Sequence, residues 1–108
     1  MSAHTVRILI WFRAQDGDVS GTEGIERGYA TMREELRDRP GLIGSELLRS
    51  AEEPDRFAVL SEWESMSDFV AWQREPGHDD DTAPMDAFLD TGRPGGRYAD
   101  VFVVTAKG

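Results

Sequence analysis

The stretch Arg56-Phe57-Ala58-Val59-Leu60-Ser61-Glu62-Trp63-Glu64-Ser65-Met66-Ser67-Asp68-Phe69-Val70-Ala71-Trp72 constrains the fold more than any other part of the chain. From Phe57 to Trp63 the residues alternate as in a strand: Phe57, Val59, Ser61 and Trp63 share one side, and Ala58, Leu60 and Glu62 the other. Ser65 stands three residues before Asp68, a capping-box-like start for a helix, with Asp where Glu or Gln is more usual. Phe69 and Trp72, three apart, then fall on one face of that helix. A strand that ends on tryptophan and turns directly into an aromatic helix brings three large rings to one corner. Such a corner is either plain core or a wall of a pocket for a flat ligand.

The remaining elements can be placed around it. Val6, Ile8, Ile10 and Phe12 alternate with Arg7, Leu9, Trp11 and Arg13, a first strand with apolar residues on both faces. The polar segment 14–21 reads as a loop, and Ser20 and Glu23 have capping-box spacing. Ile25, Tyr29, Met32 and Leu36 form the apolar stripe of a first helix, stopped by Arg39-Pro40-Gly41. Leu42 to Arg49 and Phe57 to Trp63 are predicted to pair as an antiparallel hairpin across Glu52-Glu53-Pro54-Asp55. The second helix is predicted from Met66 to about Glu75, followed by an acidic loop from His78 to Thr82. Pro84, Met85, Phe88 and Leu89 then suggest a short third helix with proline in its first turn. Tyr98 to Thr105 closes the chain as a fourth strand.

The order β-α-β-β-α-β is that of a ferredoxin-like α+β fold, with helices on one face of the sheet. The 108 residues are expected to form a single domain, 1–108. Leu9 and Trp11, with Val101 and Val103, are expected on the face the helices leave bare. An apolar face of that kind marks an interface, here a homodimer packed sheet against sheet.

Charge and composition narrow the partners. A net charge of −9 argues against nucleic acid, which requires clustered Lys and Arg, and against an anionic membrane surface. No apolar run approaches the ~20 residues of a membrane span, and the start of the chain does not resemble a signal peptide, so a cytoplasmic location is expected. The absence of cysteine excludes disulfides, Cys-based zinc sites and thiol nucleophiles. Lys107 is the sole lysine, a poor position for a Schiff base. There is no Ser-His-Asp signature, no phosphate loop, and no flavin or nicotinamide fingerprint. No organic cofactor and no metal are expected; Asp79-Asp80-Asp81 lacks the ligand spacing of a calcium loop.

Three segments carry a family likeness. They are Pro40-Gly41-Leu42-Ile43-Gly44-Ser45-Glu46-Leu47-Leu48-Arg49-Ser50, the run Phe57-Ala58-Val59-Leu60-Ser61-Glu62-Trp63-Glu64-Ser65, and Phe69 with Pro76 and His78. Together they resemble the antibiotic biosynthesis monooxygenase family. The resemblance implies a dimeric α+β barrel and, as activity, a cofactor-independent monooxygenase using dioxygen on a small aromatic or polyketide substrate in secondary metabolism. It also admits a polyketide cyclase using the same cavity, and a binding dimer without catalysis. Quinone-forming members carry a tyrosine six residues after the tryptophan that matches Trp63; here that place is Phe69. Haem-degrading members carry an Asn on the first strand and a His on the helix after the tryptophan. This chain has Ile8-Leu9-Ile10-Trp11 and Trp72-Gln73 there, which argues against haem degradation.

The candidate substrate-binding wall is therefore Trp63, Phe69, Trp72, Met85 and Phe88. His78, Tyr29 and Asp100 are the candidate proton-handling groups. Histidine is the residue type that changes charge near neutrality. Tyr29 is the tyrosine on a helix stripe, and Asp100 would act as a base if it faced an apolar cleft. The plainer alternatives are a solvated His78, a Tyr29 at a core edge, and an Asp100 paired with Arg97 or Arg7.

Overall fold

β1 (Val6–Arg13) runs at the centre of a four-stranded antiparallel sheet of order β2-β3-β1-β4, the strand order of a ferredoxin-like α+β fold. The other elements are α1 (Val19–Glu35), β2 (Leu42–Arg49), β3 (Arg56–Trp63), α2 (Met66–Gln73), α3 (His78–Asp86) and β4 (Ala99–Val103), with a short 3-10 turn at Pro94–Gly96. The structure is a computed structural model that describes residues 4–14 and 19–108, and only the backbone of 19–22. Residues 15–18 of the loop predicted at 14–21 lie outside the described residues, whereas 19–21 already belong to α1, so Ser20 lies within the helix and is not its cap.

Register decides which side of each strand is core. Val6 pairs with Trp63, Ile8 with Ser61, Ile10 with Val59 and Phe12 with Phe57, so these residues share one face. Onto that face pack Ile25, Met32 and Leu36 of α1, Phe69 and Trp72 of α2, and Met85 of α3. The predicted stripe of α1 is thus the buried one, with Tyr29 at its edge. α3 reaches α1 because α1 has glycines where they meet. A Cβ on Gly28 would lie 2.6 Å from the Pro84 carbonyl oxygen and 2.9 Å from Met85 Sδ. One on Gly24 would lie 2.8 Å from the ring of Phe88.

The opposite face pairs Arg7 with Glu62, Leu9 with Leu60 and Trp11 with Ala58. β4 adds Asp100 and Phe102 to it, and β2 adds Glu46 and Leu48. The register corrects one expectation: Val101 pairs with Ile8 and Val103 with Val6, so both valines belong to the helix side, not to the bare face. They stay half-exposed because β4 is an edge strand. At the end of β1, the hydrogen bond from Arg13 Nη1 to Asp55 (2.8 Å), helped by the Asp90 charge, raises the guanidinium above its ordinary range.

Three boundaries also differ. α2 ends at Gln73 and β4 spans only Ala99–Val103. The predicted acidic loop is the first turn of α3, whose helix starts at His78, so Pro84 is its seventh residue and not a first-turn residue. A run of aspartates has poor helix propensity, but at a helix N-terminus carboxylates face the positive end of the dipole.

Candidate active site

The aromatic corner is assembled by local signals. Ser65 caps α2: its Oγ accepts from the Asp68 amide (3.2 Å) and donates to Asp68 Oδ2 (2.9 Å). The Asp68 side chain fills the space beside Gly41, where a Cβ would lie 2.4 Å from it and where the backbone is left-handed (φ 85°). The Glu64 amide donates to the Gly41 carbonyl (2.8 Å), which latches the β3–α2 corner to the turn before β2. Gly41, in the turn before β2, thus helps to seat the second helix.

Trp63 is fully buried, and its indole N–H donates to Ser61 Oγ (3.1 Å). It stacks on Trp72 (ring centroids 5.3 Å, 23° between planes) and meets Phe69 edge-on (5.7 Å, 63°). Trp72 continues outward. Its ring meets the His78 imidazole at 4.3 Å and 75°, and its N–H donates to Asp81 Oδ2 (2.9 Å). Arg39 holds the same carboxylate oxygen (3.6 Å) and also pairs with Glu75.

Between the sheet and the α2–α3 pair lies a cavity of about 560 Å³. Ile8, Ile10 and Phe12 of β1 form its floor, with Met32, Phe69, Trp72 and Met85 on its walls. His78 and Thr82, one turn apart on α3, enter it, and its exposed lining residues are Gln73, Asp79, Asp86, Arg97, Tyr98 and Val101. His78 Nδ1 is sealed from water and has no hydrogen-bond partner. A larger cleft, about 830 Å³, lies outside, between the end of α1 and β2. It is lined by exposed charged residues such as Arg33, Glu34, Arg37 and Asp38 and has none of the corner's rings.

Of the predicted residues His78, Phe69, Trp72 and Met85 line the cavity, and the others do not. Trp63 stands behind Trp72, Phe88 packs on α1 at Gly24, and neither lines the cavity. Tyr29 lines the outer cleft, its hydroxyl 2.8 Å from Ser45 Oγ. Asp100 lies on the opposite sheet face, where it accepts from Trp11 Nε1 (3.0 Å) and Arg93 (3.4 Å) and stands 4.0 Å from Arg97. Its carboxylate is engaged by these partners, and Arg7 pairs with Glu62 instead. Sequence reasoning missed Thr82 and the β1 floor. Reading 78–82 as a helical turn would have put Thr82 beside His78, four residues on. Among the described residues no three His, Asp or Glu side chains converge as a metal site would require.

Fold and site together define a ferredoxin-like α+β protein with an aromatic cavity between sheet and helices. The chain belongs to the antibiotic biosynthesis monooxygenase family, whose model matches residues 5–80. A 42.8 kDa protein of the whiE locus of Streptomyces coelicolor is 33% identical over 67 residues, 58% of this chain and 17% of that protein. Protein SchA of Streptomyces halstedii is 29% identical over 84 residues, 78% of this chain and 21% of that protein. The mycobilin-producing haem oxygenase of Mycobacterium tuberculosis is 33% identical over 52 residues, 48% of this chain and 50% of that protein. The matches thus span about a fifth of the two Streptomyces proteins and half of the haem oxygenase.

Among solved structures, SnoaB, a cofactor-independent oxygenase from Streptomyces nogalater, superposes with a TM-score of 0.71 at 16% identity, covering 98% of this chain and 96% of that one. A haem-degrading protein of M. tuberculosis superposes with a TM-score of 0.69 at 23% identity, covering 98% and 97%. These likenesses show a shared fold. Among the described residues no helix is long and apolar enough to cross a membrane.

Proposed function

We propose that the protein is a cofactor-independent monooxygenase that oxidises a flat aromatic, polyketide-type substrate in the cavity between β1 and the α2–α3 pair, using dioxygen. The observation that carries this reading is a roomy apolar cavity, walled by Phe69, Trp72 and Met85, into which one imidazole projects. Family membership and the SnoaB-like fold agree with it.

The substrate supplies most of the chemistry. A phenolic anthrone gives up a proton from its central CH₂, and the negative charge spreads into the flanking rings. His78 Nε2 takes that proton, the role for which an imidazole in a cavity is suited. The carbanion gives its electron pair to dioxygen, a C–O bond forms, and the peroxide recovers a proton from the imidazole. Loss of water from the hydroperoxide leaves a carbonyl, so CH₂ and O₂ become C=O and H₂O. The apolar walls exclude water and hold the ring system beside the imidazole. Phe69 stands where the resemblance to quinone-forming members implies a tyrosine and offers no hydroxyl, which supports the reading of His78 as the proton acceptor.

The same reading includes a cytoplasmic homodimer formed through the bare sheet face, where Leu48 and Phe102 are 40% and 51% exposed. Turnover of a dihydroxyanthrone is tested with and without oxygen. The proposal expects quinone formation with matching oxygen uptake. Oxygen-independent conversion to a cyclised product would assign the cavity to a cyclase, and binding without turnover to a carrier.

A further inference from the structure

We propose that Asp81 is a positioning residue that orients the His78 imidazole through the indole of Trp72; the catalytic part of this inference rests on the reading of His78 as the proton acceptor. A histidine used in acid–base chemistry is commonly aimed by a carboxylate that takes the hydrogen bond of its second ring nitrogen. Here that nitrogen, Nδ1, is sealed and unpartnered, so no hydrogen bond sets the ring. What the ring has is Trp72, at 4.3 Å and nearly perpendicular. The indole in turn is held at its N–H by Asp81 Oδ2 at 2.9 Å. The carboxylate that aims the imidazole therefore stands one residue removed.

Three observations support this assignment. Of the three aspartates in the first turn of α3, Asp79 and Asp80 are exposed, whereas the Asp81 side chain is 13% exposed and turned inward. Its carboxylate is located from outside its own helix by Arg39, which follows α1 and also pairs with Glu75 just beyond α2. His78 and Asp81 are three apart on one helical face, so a single indole touches both. A carboxylate placed only to suit the helix dipole would need none of these contacts. A bond to a charged acceptor is also short and directional, which suits it to fixing the plane of a ring.

The test uses Asp81→Leu, which removes the acceptor, and Asp81→Asn, which keeps an oxygen for the indole N–H. His4, the other histidine, is exposed and serves as the internal reference in proton NMR. In the unaltered chain the His78 ring protons should be displaced from those of His4 by the Trp72 ring current. The displacement should be lost in Asp81→Leu and kept in Asp81→Asn, an outcome that a role in stability alone would not produce. With a dihydroxyanthrone as probe, oxygen uptake should fall by about 10- to 10²-fold in Asp81→Leu and recover in Asp81→Asn, as expected when a reacting group is misplaced by ~1 Å. Unchanged His78 ring shifts in Asp81→Leu overturn the inference. Should that variant not fold, exchange of the Trp72 indole N–H in the unaltered chain decides: slow exchange supports the bond to Asp81, and exchange as fast as in a free indole overturns it. Full turnover by His78→Gln would defeat the proposed function, while the ring shifts would still decide the positioning geometry by themselves.

Discussion

The two faces of the sheet use the same strands and differ in what closes them. On the helix side Val6, Ile8, Phe12, Val59 and Trp63 are almost wholly buried, and the space that α2 and α3 leave unfilled is the cavity. On the other side Leu9 faces a half-buried Leu60, with Leu48 and Phe102 exposed around them. Charges interleave there: Arg7 bonds Glu62, and Arg93 lies 4.2 Å over the Trp11 ring while reaching Asp100. An apolar cavity with an imidazole in its lining is the kind of space that suits a small ligand, whereas a half-covered apolar patch fringed by ion pairs suits contact with another chain.

Five substitutions test that contrast, with Leu60→Ala as the comparator for the first and the other four in descending order of effect. Trp63→Ala empties the centre of the helix side and should cost about 3–5 kcal/mol of stability, read by denaturant unfolding followed by circular dichroism. Leu60→Ala, also on β3 but facing the other way, should cost markedly less. Leu9→Asp sets a carboxylate in the proposed dimer contact, and burying it unpaired costs several kcal/mol, so sedimentation should show a weakened dimer with the fold retained. A stable monomer of the unaltered chain would remove the contact half of the comparison.

Gly28→Ala forces a methyl against the Pro84 carbonyl and Met85 and should cost about 1–3 kcal/mol, lowering the melting temperature by pushing α3 off α1. Phe69→Tyr is the mildest change. It nearly conserves volume at the cavity wall, should alter stability by less than about 1.5 kcal/mol, and should not slow oxygen uptake. A large loss of stability would mean that Phe69 is sealed core and not wall.

The corner was legible in the sequence because its signals are local. Alternation from Phe57 to Trp63, the Ser65–Asp68 cap and the Phe69–Trp72 spacing each act within one turn or strand, and all three are realised. The strand order followed from the element order. What escaped was whatever depends on pairing between distant segments. Ala99-Asp100-Val101-Phe102-Val103 is apolar at both parities, so only its register against β1 turns Asp100 away from the cavity and Val101 toward it. Trp63 and Trp72 are equal as sequence signals, yet one is sealed by its neighbours and the other meets open space. Propensity misled at α3, where dipole and tertiary contacts outweigh the poor helix formers of its first turn.

The reaction is proposed to take place on the helix side of the sheet, with His78 as proton acceptor. Oxygen uptake with a dihydroxyanthrone, compared between the unaltered chain and His78→Gln, tests it most directly. A general acid–base group contributes a factor of about 10² to 10⁴, so the variant should lose at least two orders of magnitude in kcat while retaining its fold. A His78→Gln protein that consumes oxygen at the unaltered rate would contradict the account.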